Sequence, residues 1–214
     1  MKTSVIFDMD GLMLDTEKVY AQVNKEGFNA MGIEFEMKDY LKYVGVGEKE
    51  TLAMYAEMIG DMDKAKELLA REDKRYLEVI KDQVPDMKDD LLKVLDILDA
   101  RGVDCYVASS TNLDTVEYLL EATGIRKYFK GIVAGDQVTN AKPDPEIYLK
   151  VVADYHLNKE ETIVLEDSIH GVNAAYKAGL DVIMVPDLVA PDELTYERVV
   201  AVVGRLGDAL PFLD

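Results

Sequence analysis

The stretch Val5 to Glu17, VIFDMDGLMLDTE, places Asp8, Asp10, Asp15 and Glu17 directly behind a short apolar run. Crowded carboxylates repel and raise one another's pKa values unless a cation or a proton intervenes, so this spacing points to a metal, to acid/base chemistry, or to both. Asp8, at the end of the run, is of a type that can hold a cation and can attack phosphorus as a nucleophile. Asp10, two residues on, suits a general acid/base that protonates a leaving alcohol and then activates water. Gly11 lets the chain turn away sharply.

Three further stretches carry chemistry of the same kind. VASST holds Ser109 and Ser110 and opens a helix at Thr111 and Asn112, where hydroxyls and free backbone N–H groups suit phosphate, though the same residue types also serve as plain helix caps. NAKPDPEIY sets Lys142 before Pro143, with Asp144 expected as N-cap and Pro145 at the first helical position. A fixed ammonium there could hold phosphoryl oxygens and offset the acidic cluster. VLEDSIHG adds Glu166 and Asp167, hard oxygen ligands that with Asp8 and a backbone carbonyl suit Mg²⁺.

These residues must be brought together by the elements that carry them. Five short apolar runs predict strands: Ser4 to Phe7, Asp104 to Ser109, Gly131 to Gly135, Thr162 to Asp167 and Asp181 to Val185. Most are continuous rather than alternating, as in strands buried on both faces, and helical patterns separate them, which predicts an α/β fold with a parallel sheet. In such sheets ligands bind at the carboxyl ends of the strands, where Asp8, Ser109, Glu166 and Asp167 would stand. Between Asp15 and Pro85 no strand-like run occurs. Apolar residues recur there at helical spacing, among them Val19, Val23, Phe28, Leu52, Tyr55, Leu68, Leu77 and Ile80. About seventy helical residues exceed a single crossover, so an inserted helical domain is expected over 16–85, with 1–15 and 86–214 forming the core.

The whole chain sets further bounds. Its 214 residues suffice for a sizeable core. Lys and Arg number 24 against 42 Asp and Glu, a formal net charge of -18, which opposes binding to nucleic acid. No apolar run is long enough for a membrane span or a signal peptide, so a cytoplasmic location with no membrane partner is expected. Cys105 is the sole cysteine, flanked by apolar residues, and is expected to be an inert core thiol. Nothing in the sequence specifies an oligomer; a monomer is the expectation. His170 is expected to be a helix-start residue exposed to solvent.

Taken together and in order, DMDGLMLDTE, YVASST, the Lys142 stretch and LEDSIHG resemble the four motifs of the haloacid dehalogenase-like phosphohydrolases, in the branch with a helical cap inserted after the first motif. The resemblance implies a Rossmann-like core, with Asp8 as nucleophile and Asp10 as general acid/base. Ser109, Ser110 and Lys142 would bind phosphate. Mg²⁺ would be held by Asp8, Asp167 and the carbonyl of Asp10, with Glu166 in or beside that shell. Asp10 argues against dehalogenation, since dehalogenating relatives lack it. The substrate would be a small phosphorylated metabolite, a sugar phosphate or nucleoside monophosphate, hydrolysed through an aspartyl-phosphate. β-Phosphoglucomutase-like transfer ranks second, because this chain has Tyr20 where those mutases have a cap His, and Glu48 about where they have an Arg. A non-catalytic phosphometabolite-binding module ranks third. Specificity is expected from the cap, with Tyr20, Gly45, Glu48 and Lys49 as candidates.

Overall fold

The computed structural model describes residues 1–214. The apolar runs form strands β1 (Ser4–Phe7), β2 (Asp104–Ser109), β3 (Phe129–Ala134), β4 (Thr162–Glu166) and β5 (Asp181–Met184), joined by a sixth, β6 (Ala201–Val202). They pair in the order β3-β2-β1-β4-β5-β6, parallel at every step. Every residue of β1 and β4 is buried, which accounts for their unbroken apolar runs. Successive side chains serve opposite faces: Val5, Phe7, Val107 and Leu165 join one apolar cluster, and Ile6, Tyr106, Val164 and Val182 join the other. The first cluster packs under helices α5 (Leu91–Ala100) and α6 (Leu113–Ala122), the second under α7 (Glu146–Asp154) and α8 (Ile169–Lys177). A last short helix, α9 (Glu193–Arg198), follows β5.

Helices α1 (Thr16–Ala30), α2 (Met37–Tyr40), α3 (Glu48–Ile59) and α4 (Met62–Asp82) all fall between β1 and β2. They bury a separate cluster that includes Phe28, Phe35, Tyr55 and Leu68, with the Phe28 and Phe35 rings stacked 4.6 Å apart. The insert therefore has its own core, as an inserted helical cap requires. Its last turns reach lower, since Tyr76 and Ile80 of α4 pack into the cluster of the sheet. The two connections to the sheet run side by side, Asp15 N–H donating to Asp86 at 2.9 Å and Lys88 N–H to Met13 at 2.8 Å. The Lys88 ammonium fastens this junction, 2.5 Å from Asp15 and 2.7 Å from Asp187 of the core.

The cap lies over the carboxyl ends of the strands. Gly45, at φ +71°, packs against Ser168 and His170, and a Cβ on Gly47 would overlap Ala141. The strands differ from the sequence expectation in their ends: β3 starts two residues earlier, and β3, β4 and β5 each stop one residue short. The helix after Lys142 begins at Glu146 rather than Pro145, with Asp144 Oδ1 accepting from the Glu146 N–H at 3.0 Å. His170 is half-buried rather than exposed, and its Nδ1 has no partner. Cys105 is buried, which pushes its thiol up to about 12. No helix is long and apolar enough to cross a membrane.

Candidate active site

β1 delivers Asp8 between β2 and β4, its N–H donating to Leu165 at 3.0 Å. The loop before α7 brings Lys142 to the same point. The buried Lys142 ammonium donates to Asp8 Oδ1 at 2.6 Å, to Glu166 Oε1 at 2.7 Å and to the Ala108 carbonyl at 3.1 Å. Burial opposes that charge, but Asp8 and Glu166 hold the ammonium protonated well above its ordinary range.

Glu166 is the anchor of this arrangement. Its Oε1 also accepts from the buried Tyr148 hydroxyl at 2.8 Å, and its Oε2 accepts from the N–H groups of Asp167 and Ser168 and from the Ser168 hydroxyl. Burial would raise its carboxyl, yet Lys142 and these donors bring it below the ordinary value. α8 comes in so closely that a Cβ on Gly171 would occupy the place of the Glu166 carboxylate. Glycine is required there for close approach, not for a special dihedral.

Asp167, the next residue, accepts no hydrogen bond from the protein, although it is only 3% exposed. Burial, with the charges of Glu166 and Asp8, pushes its carboxyl well above the ordinary range. Asp8 is raised in the same direction by burial, against the pull of Lys142, and further by Glu166 and Asp10. Oxygens of Asp8, Glu166 and Asp167 all lie within 4.8 Å of one another. Three buried carboxylates against one ammonium leave an excess of negative charge that a divalent cation with hard oxygen preference would relieve, so the donor set fits such an ion. Gly11, at φ +80°, makes room for Asp167, since a Cβ there would overlap its carboxylate.

Asp10 is held apart from that cluster. Its Oδ2 accepts from the hydroxyls of Ser109 and Thr111, each at 2.9 Å, and its Oδ1 is buried without a partner. The Thr111 hydroxyl lies 3.3 Å from that of Tyr20 on α1, so cap and core meet over the candidate acid/base. A cavity of about 1000 Å³ opens between cap and core and is lined by Asp8, Asp10, Lys142 and Asp167.

The structure thus brings Asp8, Asp10, Lys142 and Asp167 to one cavity, with Ser110 on its lining and Tyr20, Gly45, Glu48 and Lys49 on the cap side. Ser109 is instead fully buried, its hydroxyl turned onto Asp10 and accepting from the Thr111 N–H at 3.0 Å. Glu166 is sealed beneath the floor by its five donors. Thr111, expected within a helix-opening phosphate site, turns its hydroxyl onto Asp10, and Tyr148, unmarked in the sequence, supports Glu166 from α7. Glu17, in the first turn of α1, is buried on the cavity wall, where the Tyr40 hydroxyl donates to it at 2.5 Å. Burial raises its carboxyl to about 7 despite that bond.

The profile of the haloacid dehalogenase-like hydrolases matches residues 5–185. The chain belongs to that family. Among curated relatives of this hydrolase, a phosphorylated carbohydrates phosphatase of Thermotoga maritima is 32% identical over 181 residues, covering 83% of this chain and 82% of that protein. CbbY of Rhodobacter sphaeroides, solved in complex with phosphate, shares the fold at a TM-score of 0.83 and 23% identity, over 98% of this chain and 96% of that one. A β-phosphoglucomutase of Clostridium difficile has the same fold, with a TM-score of 0.83 at 19% identity over 97% and 93% of the two chains.

Proposed function

We propose that this haloacid dehalogenase-like hydrolase is a Mg²⁺-dependent phosphatase that removes phosphate from a small phosphorylated metabolite, a sugar phosphate or nucleoside monophosphate, through an aspartyl-phosphate. The observation that carries this reading is the buried Asp8, fixed by Lys142 at 2.6 Å and flanked by the unpaired carboxylate of Asp167, at the floor of the cavity. Asp8 and Asp167, with the Asp10 carbonyl, would hold the ion, and Glu166 would stand behind them. When bound, Mg²⁺ supplies charge that offsets the phosphoryl oxygens and lets a carboxylate approach them.

The remaining chemistry belongs to the chain. An Asp8 carboxylate oxygen forms a bond to phosphorus as the bond from phosphorus to the leaving oxygen breaks. Lys142 binds the transferring oxygens, and Asp10 gives its proton to the departing alkoxide. Asp10, now ionised, takes a proton from water as that water attacks phosphorus. Phosphate departs and the Asp8 carboxylate is restored.

Hydrolysis is favoured over transfer to a second sugar position by the start of α3. A mutase must hold a bisphosphate, and the first turn of α3 offers only Lys49, exposed and set between Glu48 and Glu50. The test is β-glucose 1-phosphate supplied with Mg²⁺ and a bisphosphate primer. Inorganic phosphate is expected to form faster than glucose 6-phosphate; the reverse order would overturn the assignment.

A further inference from the structure

The side chains that hold Asp10 come from both halves of the molecule. Its Oδ2 accepts from the Ser109 and Thr111 hydroxyls, each at 2.9 Å, which fills both lone-pair directions of that oxygen. Each hydroxyl has a single hydrogen and directs it to Asp10, so what each accepts is fixed as well. Ser109 Oγ takes the Thr111 N–H at 3.0 Å. Thr111 Oγ1, 3.3 Å from the Tyr20 hydroxyl, is left as the acceptor of that contact. Tyr20 therefore donates to Thr111, and Thr111 to Asp10.

Tyr20 is well placed to be a fixed donor. Its ring stacks on that of Tyr76, with centroids 4.0 Å apart and planes within 7° of parallel, and Tyr76 is buried. Burial, and then the charge of Asp10, push the Tyr20 hydroxyl above its ordinary value, so it keeps its hydrogen. Tyr20 belongs to α1 of the cap and Thr111 follows β2 of the core, so the chain of bonds crosses the boundary between them. Without a donor from the cap the Thr111 hydroxyl is free to rotate, and hydrogen bonds in a chain strengthen one another. The second oxygen of Asp10, Oδ1, has no partner. With Oδ2 occupied twice, the proton that moves resides on Oδ1.

We propose that Tyr20 is a positioning residue of the reaction, acting through the Thr111 hydroxyl to fix the Asp10 carboxyl so that Oδ1 delivers and recovers the proton. This rests on the phosphatase reading and deepens it by giving the cap a part in the acid step. As the bond from phosphorus to the leaving oxygen breaks, its electron pair stays on that oxygen, which takes the proton from Oδ1. In the second half, water gives a proton to Oδ1 as its oxygen bonds to phosphorus. Tyr20 and Thr111 keep their own hydrogens throughout.

The experiment compares kcat/KM, with Mg²⁺, for 4-nitrophenyl phosphate, whose leaving group departs without a proton, and benzyl phosphate, similar in size, whose leaving group needs one. This ratio covers the steps through transfer to Asp8, so the later water attack does not enter it. Thr111→Val is expected to lower the benzyl-to-nitrophenyl ratio about tenfold, a part of the roughly 10²–10⁴ that an acid/base group supplies. Tyr20→Phe, which keeps the ring and its stack, is expected to lower it about threefold, the effect of one hydrogen bond in the chain. Thr111→Ser, which keeps the hydroxyl, is expected to hold the wild-type ratio. Circular dichroism confirms that each variant is folded. An unchanged ratio in Tyr20→Phe, equal losses on both esters, or a Thr111→Ser ratio as low as that of Thr111→Val overturns the proposal while leaving the phosphatase intact. Wild type that hydrolyses only the nitrophenyl ester has no acid step to position and also overturns it. Wild type that hydrolyses neither ester overturns the phosphatase reading and this proposal with it.

Discussion

Glu166 and Asp167 are adjacent in sequence and alike in type, yet one accepts five hydrogen bonds and the other none. That division makes Glu166 the part that fixes Lys142 and leaves Asp167 free for a cation. Tyr148→Phe removes one of the five donors from a buried, charged acceptor, at an expected cost of about 1.5–3 kcal/mol. Urea denaturation measures it; a midpoint equal to wild type would show that the bond does not matter. Asp10→Asn removes a proton donor and acceptor that stands at the cavity, with an expected loss of about 10²–10⁴ in kcat on an alkyl phosphate. Unchanged kinetics would remove Asp10 from the mechanism. The motif residues could be found in the sequence because their types and spacing are local facts. Which hydroxyl faces the cavity is decided by contacts across the sheet, so Ser109 turning onto Asp10, and Thr111 beside it, could not be read there. Glu17 stands in the first turn of α1, but its burial comes from packing that includes Tyr40, 23 residues on, and is not visible in the sequence either.

The strands of the sheet were legible because burial on both faces writes continuous apolar runs, and the long insert because it lacks any. β6 was not, being two half-buried residues with no pattern to detect. Within the insert, α4 carries Glu72 among α1 and α3, with Tyr55 donating to it at 2.7 Å and Asn24 at 2.9 Å. Burial raises its carboxyl to about 7 although those donors and Arg71 pull it down. The folded chain therefore keeps this proton at pH values where the unfolded chain, near the ordinary 4.5, has lost it. Its contribution to stability falls as pH rises from about 4.5 to about 7. Glu72→Gln holds no proton to lose, so its melting temperature is expected to drop less than that of wild type between pH 5 and pH 7.5. Parallel curves for the two proteins would contradict the assignment.

At the scale of the molecule, a sheet supplies the strand ends, an inserted cap roofs them, and the cavity between is lined by Asp8, Asp10, Lys142 and Asp167, the groups of the proposed chemistry. Parallel strand order puts Asp8, just after β1, beside Asp167, just after β4, although they lie 159 positions apart in the chain. Cap and core are tied by the paired connections at Asp15 and Lys88 and by contacts of Gly45 and Gly47, features that depend on approach in space and left no readable mark in the sequence. The central claim is that Asp8 carries the phosphoryl group with Mg²⁺ beside it. The most direct measurement is aryl phosphate hydrolysis by wild type and Asp8→Asn, each with Mg²⁺ and with excess EDTA, alongside circular dichroism to confirm that the variant is folded. Wild type is expected to turn over only with Mg²⁺, and Asp8→Asn, folded, to lose about 10⁴-fold or more in kcat, on the scale of a missing nucleophile. A folded Asp8→Asn protein that hydrolyses the ester at a rate near wild type would contradict the account.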